Sequence, residues 1–177
     1  TAPTGKHKTA ATEVTEEAAS ADGNLFYEVF LGEVTTRTGD PGAGYALMLD
    51  AARRSHSSQL YQRAADIALQ SRSGDYALAA AKAWQEDHPQ SRDANRYVLQ
   101  ILVALNRVSE TTAPLQQFIQ QAPAPSKVGI LNAIPQMFGR VSDKAAAAKA
   151  VQEALRTEMS NPSTGAAAWI ALGRMRL

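Results

Sequence analysis

Apolar positions recur along this chain at spacings of three and four, the rhythm of helices with one buried face. From Asn24, Leu25, Val29 and Leu31 fall near one face, and Phe26, Phe30 and Val34 extend it. Thr38-Gly39-Asp40-Pro41-Gly42 breaks the pattern. Gly supplies a left-handed C-cap, Asp an N-cap and Pro a first helical position. Tyr45, Leu47, Met48, Leu49 and Ala52 predict the next helix, and Ser55-His56-Ser57-Ser58 ends it and caps its successor. A third helix is predicted over 59–70, with Leu60, Ala64, Ile67 and Ala68 inward. After the Ser73-Gly74-Asp75 turn, Tyr76, Ala80 and Trp84 mark a fourth, closed by Pro89.

Ser91 or Asp93 opens a fifth helix with Tyr97, Val98, Ile101, Leu102 and Leu105 inward. Ser109 is the expected N-cap of a sixth, bearing Leu115, Phe118 and Ile119, and Pro114 must sit in its first turn or kink it. Residues 127–139 predict a seventh, which Pro135 should kink or end early. Ser142-Asp143 caps an alanine-rich eighth, and a ninth begins near Ser163 with Trp169, Ile170 and Leu172. No segment alternates with period two between hairpin turns, so no strand is expected.

The expected fold is all-α. Residues 1–23 are rich in Thr, Ala, Glu and Lys, which predicts a solvated arm, flexible or partly helical, with 11–20 able to form a frayed helix. Pro89 and Pro123 lie 34 residues apart, and Gly39-Asp40 and Gly74-Asp75 lie 35 apart. A helix–turn–helix unit of that period is the tetratricopeptide spacing. The domain 24–177 then divides into stacked antiparallel pairs at 24–57, 58–91, 92–125 and 126–162, with a partial unit at 163–177. The segment Leu60–Pro89 resembles one tetratricopeptide repeat, with Ala77 at the small crossing position and Pro89 at the closing proline. It lacks the family's first-helix Trp and Leu-Gly: Ala64-Ala65 stand where Leu-Gly would be. Thr111 replaces the small residue of the third unit. A generic helical bundle is the alternative architecture.

The run LYQRAADIALQSRSGDYALAAAKAWQEDHPQS is similar to bacterial tetratricopeptide proteins of the cell envelope. That resemblance implies an exported or outer-membrane lipid-anchored scaffold on the periplasmic side, some relatives of which are adaptors for processing proteases. A cytoplasmic location is the alternative. The start at Thr1 rather than methionine implies residues upstream, where an export signal or lipidation site would lie. The last helix stops without a C-terminal cap signal.

Composition changes little in this picture. The chain is 45% hydrophobic, only 6% aromatic, and carries a net charge of +1. An alanine-rich apolar share suits close-packed helices, and the neutral balance offers no surface for nucleic acid. Zero cysteines exclude disulfides and thiolate metal sites. His7, His56 and His88 have no partner at metal-ligand spacing, and phosphate-loop, nucleophile-elbow and dinucleotide patterns are lacking. The Gly39–Gly44 stretch precedes a helix, but no strand precedes it and no Lys-Ser/Thr follows. No catalytic residue, metal or cofactor is expected, and no run is apolar enough for membrane insertion.

Stacked repeats create an extended concave face, which predicts a non-catalytic scaffold binding a protein or peptide. In register, Glu28, Gln62 and Arg96 are equivalent. Gly32, Asp66 and Gln100 follow one turn on, and Thr35, Leu69 and Val103 after that. With Gln59 and Asp93 they predict a mixed polar groove, and the partner-binding candidates are Glu28, Gln59, Gln62, Asp66, Arg96 and Gln100. Tyr76, Trp84, Tyr97 and Phe118 read as core. Ile130, Ile134, Met137 and Phe138 are expected to pack on the last helix, the alternative being an apolar binding patch. A self-associating structural module, a homo-oligomer built on exposed repeat ends and the arm, is the second functional reading.

Overall fold

The computed structural model describes residues 8–177, with side chains from Glu17 onward. The first seven residues of the expected arm, His7 among them, lie outside the described residues. The chain is all-α: no strand occurs among the described residues, and short turns join its helices. It divides into two compact units, 1–73 and 74–177.

The first unit holds α1 (Lys8–Arg37), α2 (Pro41–Ser55) and α3 (Ser58–Gln70). The turn between α1 and α2 forms as its residues dictate. Gly39 takes φ +101, and Asp40 Oδ1 accepts from the Ala43 amide at 3.0 Å ahead of Pro41. Ser57 Oγ accepts from the Leu60 amide and caps α3. α1 continues through most of the expected arm as a single helix. It meets α2 at two glycines. A Cβ on Gly44 would lie 2.8 Å from the Gly32 carbonyl oxygen, and one on Gly32 would lie 3.3 Å from Met48 Cε. Only glycines allow so close a backbone approach.

That crossing decides which face of α1 is inward. Gly32 is buried, and Leu25, Glu28 and Val29 are half-buried. Phe26, Phe30 and Val34 do not join that face: they lie on the opposite side of the helix, exposed together with Tyr27 and Leu31. The sequence offers apolar residues on both sides of α1, and close packing at glycine, not side-chain hydrophobicity, selects the side that meets α2.

The second unit holds α4 (Gly74–Asp87), α5 (Arg92–Ala104), a 3-10 turn (Val108–Glu110), α6 (Thr112–Gln121), α7 (Ala124–Met137), α8 (Lys144–Ala154), α9 (Arg156–Met159) and α10 (Gly165–Met175). Ser91 caps α5 and Asp143 caps α8, each accepting from an amide three residues on. Ser109 does not cap α6: it sits inside the 3-10 turn, and Thr111 precedes the helix. Thr111 is buried with its hydroxyl donated to the Val108 carbonyl. Pro114 falls in the first turn of α6, and Pro135 lies inside α7, which ends two residues later.

α4 packs on α5 and α5 on α6, whereas α7 takes α10 as its main neighbour and α8 lies against α6 and the 3-10 turn. The core joins Leu115, Ile119, Leu131, Ile134, Phe138, Val151, Leu155 and Ala168, with Ile130 and Met137 at its edge. The apolar face of α7 therefore packs inside the unit. Trp84 is buried and meets Tyr97 edge-on at 5.4 Å, but Tyr76, expected in the core, is exposed. Among the described residues no helix is long and apolar enough to cross a membrane.

Candidate interaction surfaces

In the first unit, Gln59, Gln62 and Asp66 occupy positions i, i+3 and i+7 of α3 and share a face, since such spacings stack on a helix. Gln59 is exposed, Gln62 and Asp66 are half-buried, and Leu69 prolongs the face as an exposed apolar position. Arg63 flanks it and fixes α3 to α1: its Nε and Nη2 donate to the two carboxylate oxygens of Glu33 at 2.6 and 2.9 Å. This fork geometry is the strong form of a charged pair. The hydrogen bond from Arg63 holds Glu33 below the usual carboxylate range, against the opposing cost of burial, with charge attraction from Arg63 and Arg37 adding to it. Glu33 raises Arg63 in return, and Asp66 contributes in the same direction. Arg37, Glu33, Arg63 and Asp66 thus form a run of alternating charge.

Glu28 lies elsewhere. It faces α2 and pairs with Arg54, which also donates to Asp50 at 3.1 Å. The expected equivalence of Glu28 with Gln62 does not hold in space, and Gly32, expected beside Asp66, is buried at the α1–α2 crossing. The α1 residue that belongs with the α3 face is Glu33. A register set by the 34-residue period alone misses it. The signal was the pair of glycines flanking the first turn, which commits the Gly32 side of α1 to α2.

In the second unit, Asp93, Arg96 and Gln100 share a face of α5. Arg96 Nη2 donates to Asp93 Oδ1 at 2.9 Å and its guanidinium stands 5.8 Å from the Tyr97 ring. Gln100 is exposed. Behind this face lies a residue that hydrophobic periodicity does not single out. Asn95 is fully buried: its Oδ1 accepts from Gln85 Nε2 at 2.9 Å and its Nδ2 donates to the Pro114 carbonyl at 2.8 Å. One amide so ties α4, α5 and α6 together. Gln117 and Gln121 of α6 donate to the carbonyls of Pro89 and Gln90 in the turn between α4 and α5.

A cleft of about 530 Å³ opens between α7, α8 and α10, with Pro135, Phe138 and Met175 among its walls and Lys144, Arg174 and Arg176 at its rim. Lys144 is occupied there, donating to the Gly139 carbonyl at 2.6 Å. No group of three or more potential metal ligands occurs among the described residues.

No protein-family model and no curated protein matches the chain. Twelve chains of solved structures match. One, described as "MamA RS-1 ArsTM double mutant", shares 10% identity over 86% of this chain and 92% of its own, with a TM-score of 0.49. At that level it is a distant likeness between helical chains and carries nothing about function.

Proposed function

We propose that this chain is a non-catalytic scaffold that binds a partner protein or an extended peptide at the polar face of α3 in the first unit, with the polar face of α5 a separate candidate in the second. The observation that carries this reading is the α3 face. Gln59, Gln62 and Asp66 present amide and carboxylate groups on a helix that packs against α2 and is tied to α1 by the Arg63–Glu33 fork. Groups that are held before a ligand arrives bind with less loss of conformational freedom. Side-chain amides offer both donors and acceptors to a peptide backbone, and Leu69 offers an apolar anchor beside them. On α5, Arg96 and Gln100 supply the corresponding groups of the second unit.

The resemblance of residues 60–91 to bacterial envelope tetratricopeptide proteins supports a periplasmic or outer-membrane-associated adaptor as the setting. Fractionation of cells carrying the full-length gene tests the setting separately from the binding. The binding experiment compares capture from envelope extract by wild type, a Gln62→Ala/Asp66→Ala variant and an Arg96→Ala/Gln100→Ala variant, all shown to be equally helical. A protein captured by wild type and lost from either variant assigns the face. Equal capture by all three removes these faces from the function.

A further inference from the structure

The outward side of α1 bears three aromatic rings that the unit leaves in solvent. Phe26 is 75%, Tyr27 64% and Phe30 57% exposed, with Leu31 and Val34 beside them. Single exposed apolar residues need no explanation, but a continuous patch does. A buried aromatic side chain removes roughly 200 Å² from water, so these three rings alone leave about 400 Å² uncovered. Two such faces laid together supply most of the ~1,200 Å² at which specific interfaces begin, before the flanking residues are added.

We propose that a second copy of this chain covers this face, with the two α1 helices antiparallel and related by a two-fold axis at Phe30. The apolar pattern along the face is self-complementary in that arrangement, and a parallel one would set Asp22 against Asp22 and Arg37 against Arg37. Ala19, Gly23, Phe26, Phe30, Val34 and Arg37 run down one stripe at spacings of three and four. Turned about Phe30, Phe26 meets Val34 of the other copy and Phe30 meets Phe30. The charges match as well: Asp22 and Arg37, both exposed, stand seven or eight residues either side of Phe30, so each acid approaches the other copy's base. Small residues at Ala19 and Gly23 leave room for the helices to approach at the ends of the stripe. An isologous contact uses the same surface on both partners and closes on itself, so the product is a dimer. The α1–α2 crossing lies on the opposite side of α1, so dimer formation leaves it intact, and the proposal does not depend on the binding role of α3 and α5.

The experiment measures mass in solution by sedimentation equilibrium for the whole chain and four variants, after circular dichroism has shown that each is folded. Wild type is expected to be a concentration-dependent dimer, and Phe30→Glu a monomer at every concentration tested. Asp22→Arg and Arg37→Asp, taken singly, are each expected to weaken the dimer at least tenfold, and the double exchange Asp22→Arg/Arg37→Asp to restore it. Restoration is the diagnostic result, because it requires the two positions to face one another across copies. A wild-type chain that stays monomeric up to about 1 mM overturns the proposal. So does a dimer indifferent to Phe30→Glu, which locates self-association elsewhere. A dimer lost in Phe30→Glu but untouched by the charge variants overturns the antiparallel arrangement.

Discussion

Arg63 and Glu33 are 30 residues apart in sequence and joined by two parallel hydrogen bonds, at 2.6 and 2.9 Å, that fasten α3 to α1. The fork depresses the Glu33 carboxyl below its ordinary value of 4.5. A carboxylate with a depressed folded-state value stabilises the fold above its unfolded value and loses that contribution as pH falls through the folded one. Glu33→Gln should therefore cost about 1 kcal/mol at pH 7, a modest figure because the pair is partly solvated. The penalty should shrink as the pH is lowered below about 4. Urea melts of wild type and variant across that range check it, and a penalty independent of pH would show that the fork does not govern stability.

The two glycines at the α1–α2 crossing make a prediction of opposite sign from a third. A Cβ on Gly44 would overlap Thr36 Oγ1 and stand 2.8 Å from the Gly32 carbonyl oxygen, so Gly44→Ala must push the helices apart. Overpacking of this kind costs about 1–3 kcal/mol, which outweighs the ~1 kcal/mol that alanine gains over glycine within a helix. Gly129, inside α7, is exposed, and a methyl group added there would meet nothing within 4 Å. Gly129→Ala should raise stability by roughly 0.5–1 kcal/mol. Thermal melting of the two variants should move in opposite directions from wild type.

Helix ends were legible in the sequence because caps are local chemistry. Asp40, Ser57, Ser91 and Asp143 each accept a hydrogen bond from an amide three residues on, as their positions before the helices predict. The α7 face was legible too, since Ile134 and Phe138 had a consistent helical spacing and enough bulk to require a partner. Helix orientation was harder. α1 carries apolar residues on both sides, and the choice between them rests on backbone contact at Gly32 and Gly44, which hydrophobic periodicity does not see. The polar faces were half legible. Gln59, Gln62 and Asp66 do share a face of α3, but Glu28 turns towards Arg54 and the place beside Arg63 belongs to Glu33. Tyr76 followed the four-residue rhythm of Ala80 and Trp84 and still points to solvent, because each step of four drifts about 40° around a helix and the buried face of α4 is centred on Ala77, Ala81 and Trp84.

Asn95 shows how a buried polar group escapes a periodicity reading and yet sets local geometry. Its amide must both accept from Gln85 and donate to Pro114. Asn95→Asp keeps the size and removes the donor, placing a carboxylate against the Pro114 carbonyl in a dry site. Leaving one buried partner unsatisfied costs about 1–3 kcal/mol, and more when charge is involved. Protonation returns a donor, so the gap between variant and wild type should narrow as pH falls. Melts at pH 7 and pH 4 check this, and a gap that widens in acid would mean that the bond to Pro114 is not the source of the cost.

Thr164 and Glu158 form the corresponding buried polar contact at the end of the second unit. The Thr164 hydroxyl lies 2.6 Å from Glu158 Oε2 and 3.1 Å from the Glu158 carbonyl oxygen, while Lys127 of α7 approaches Oε1 at 3.6 Å. Glu158 belongs to α9, Thr164 immediately precedes α10, and both are buried. Thr164→Val preserves shape and deletes the donor, leaving the carboxylate with Lys127 as its remaining partner among these three. A hydrogen bond to a charged group contributes about 1.5–3 kcal/mol, and its loss should fall first on α10, which depends on this junction for its entry angle. Hydrogen exchange should accelerate across 165–175 in the variant while α4 and α5 keep their wild-type protection. Uniform acceleration across the unit would instead mean that the junction contributes to global stability and does not hold α10 alone.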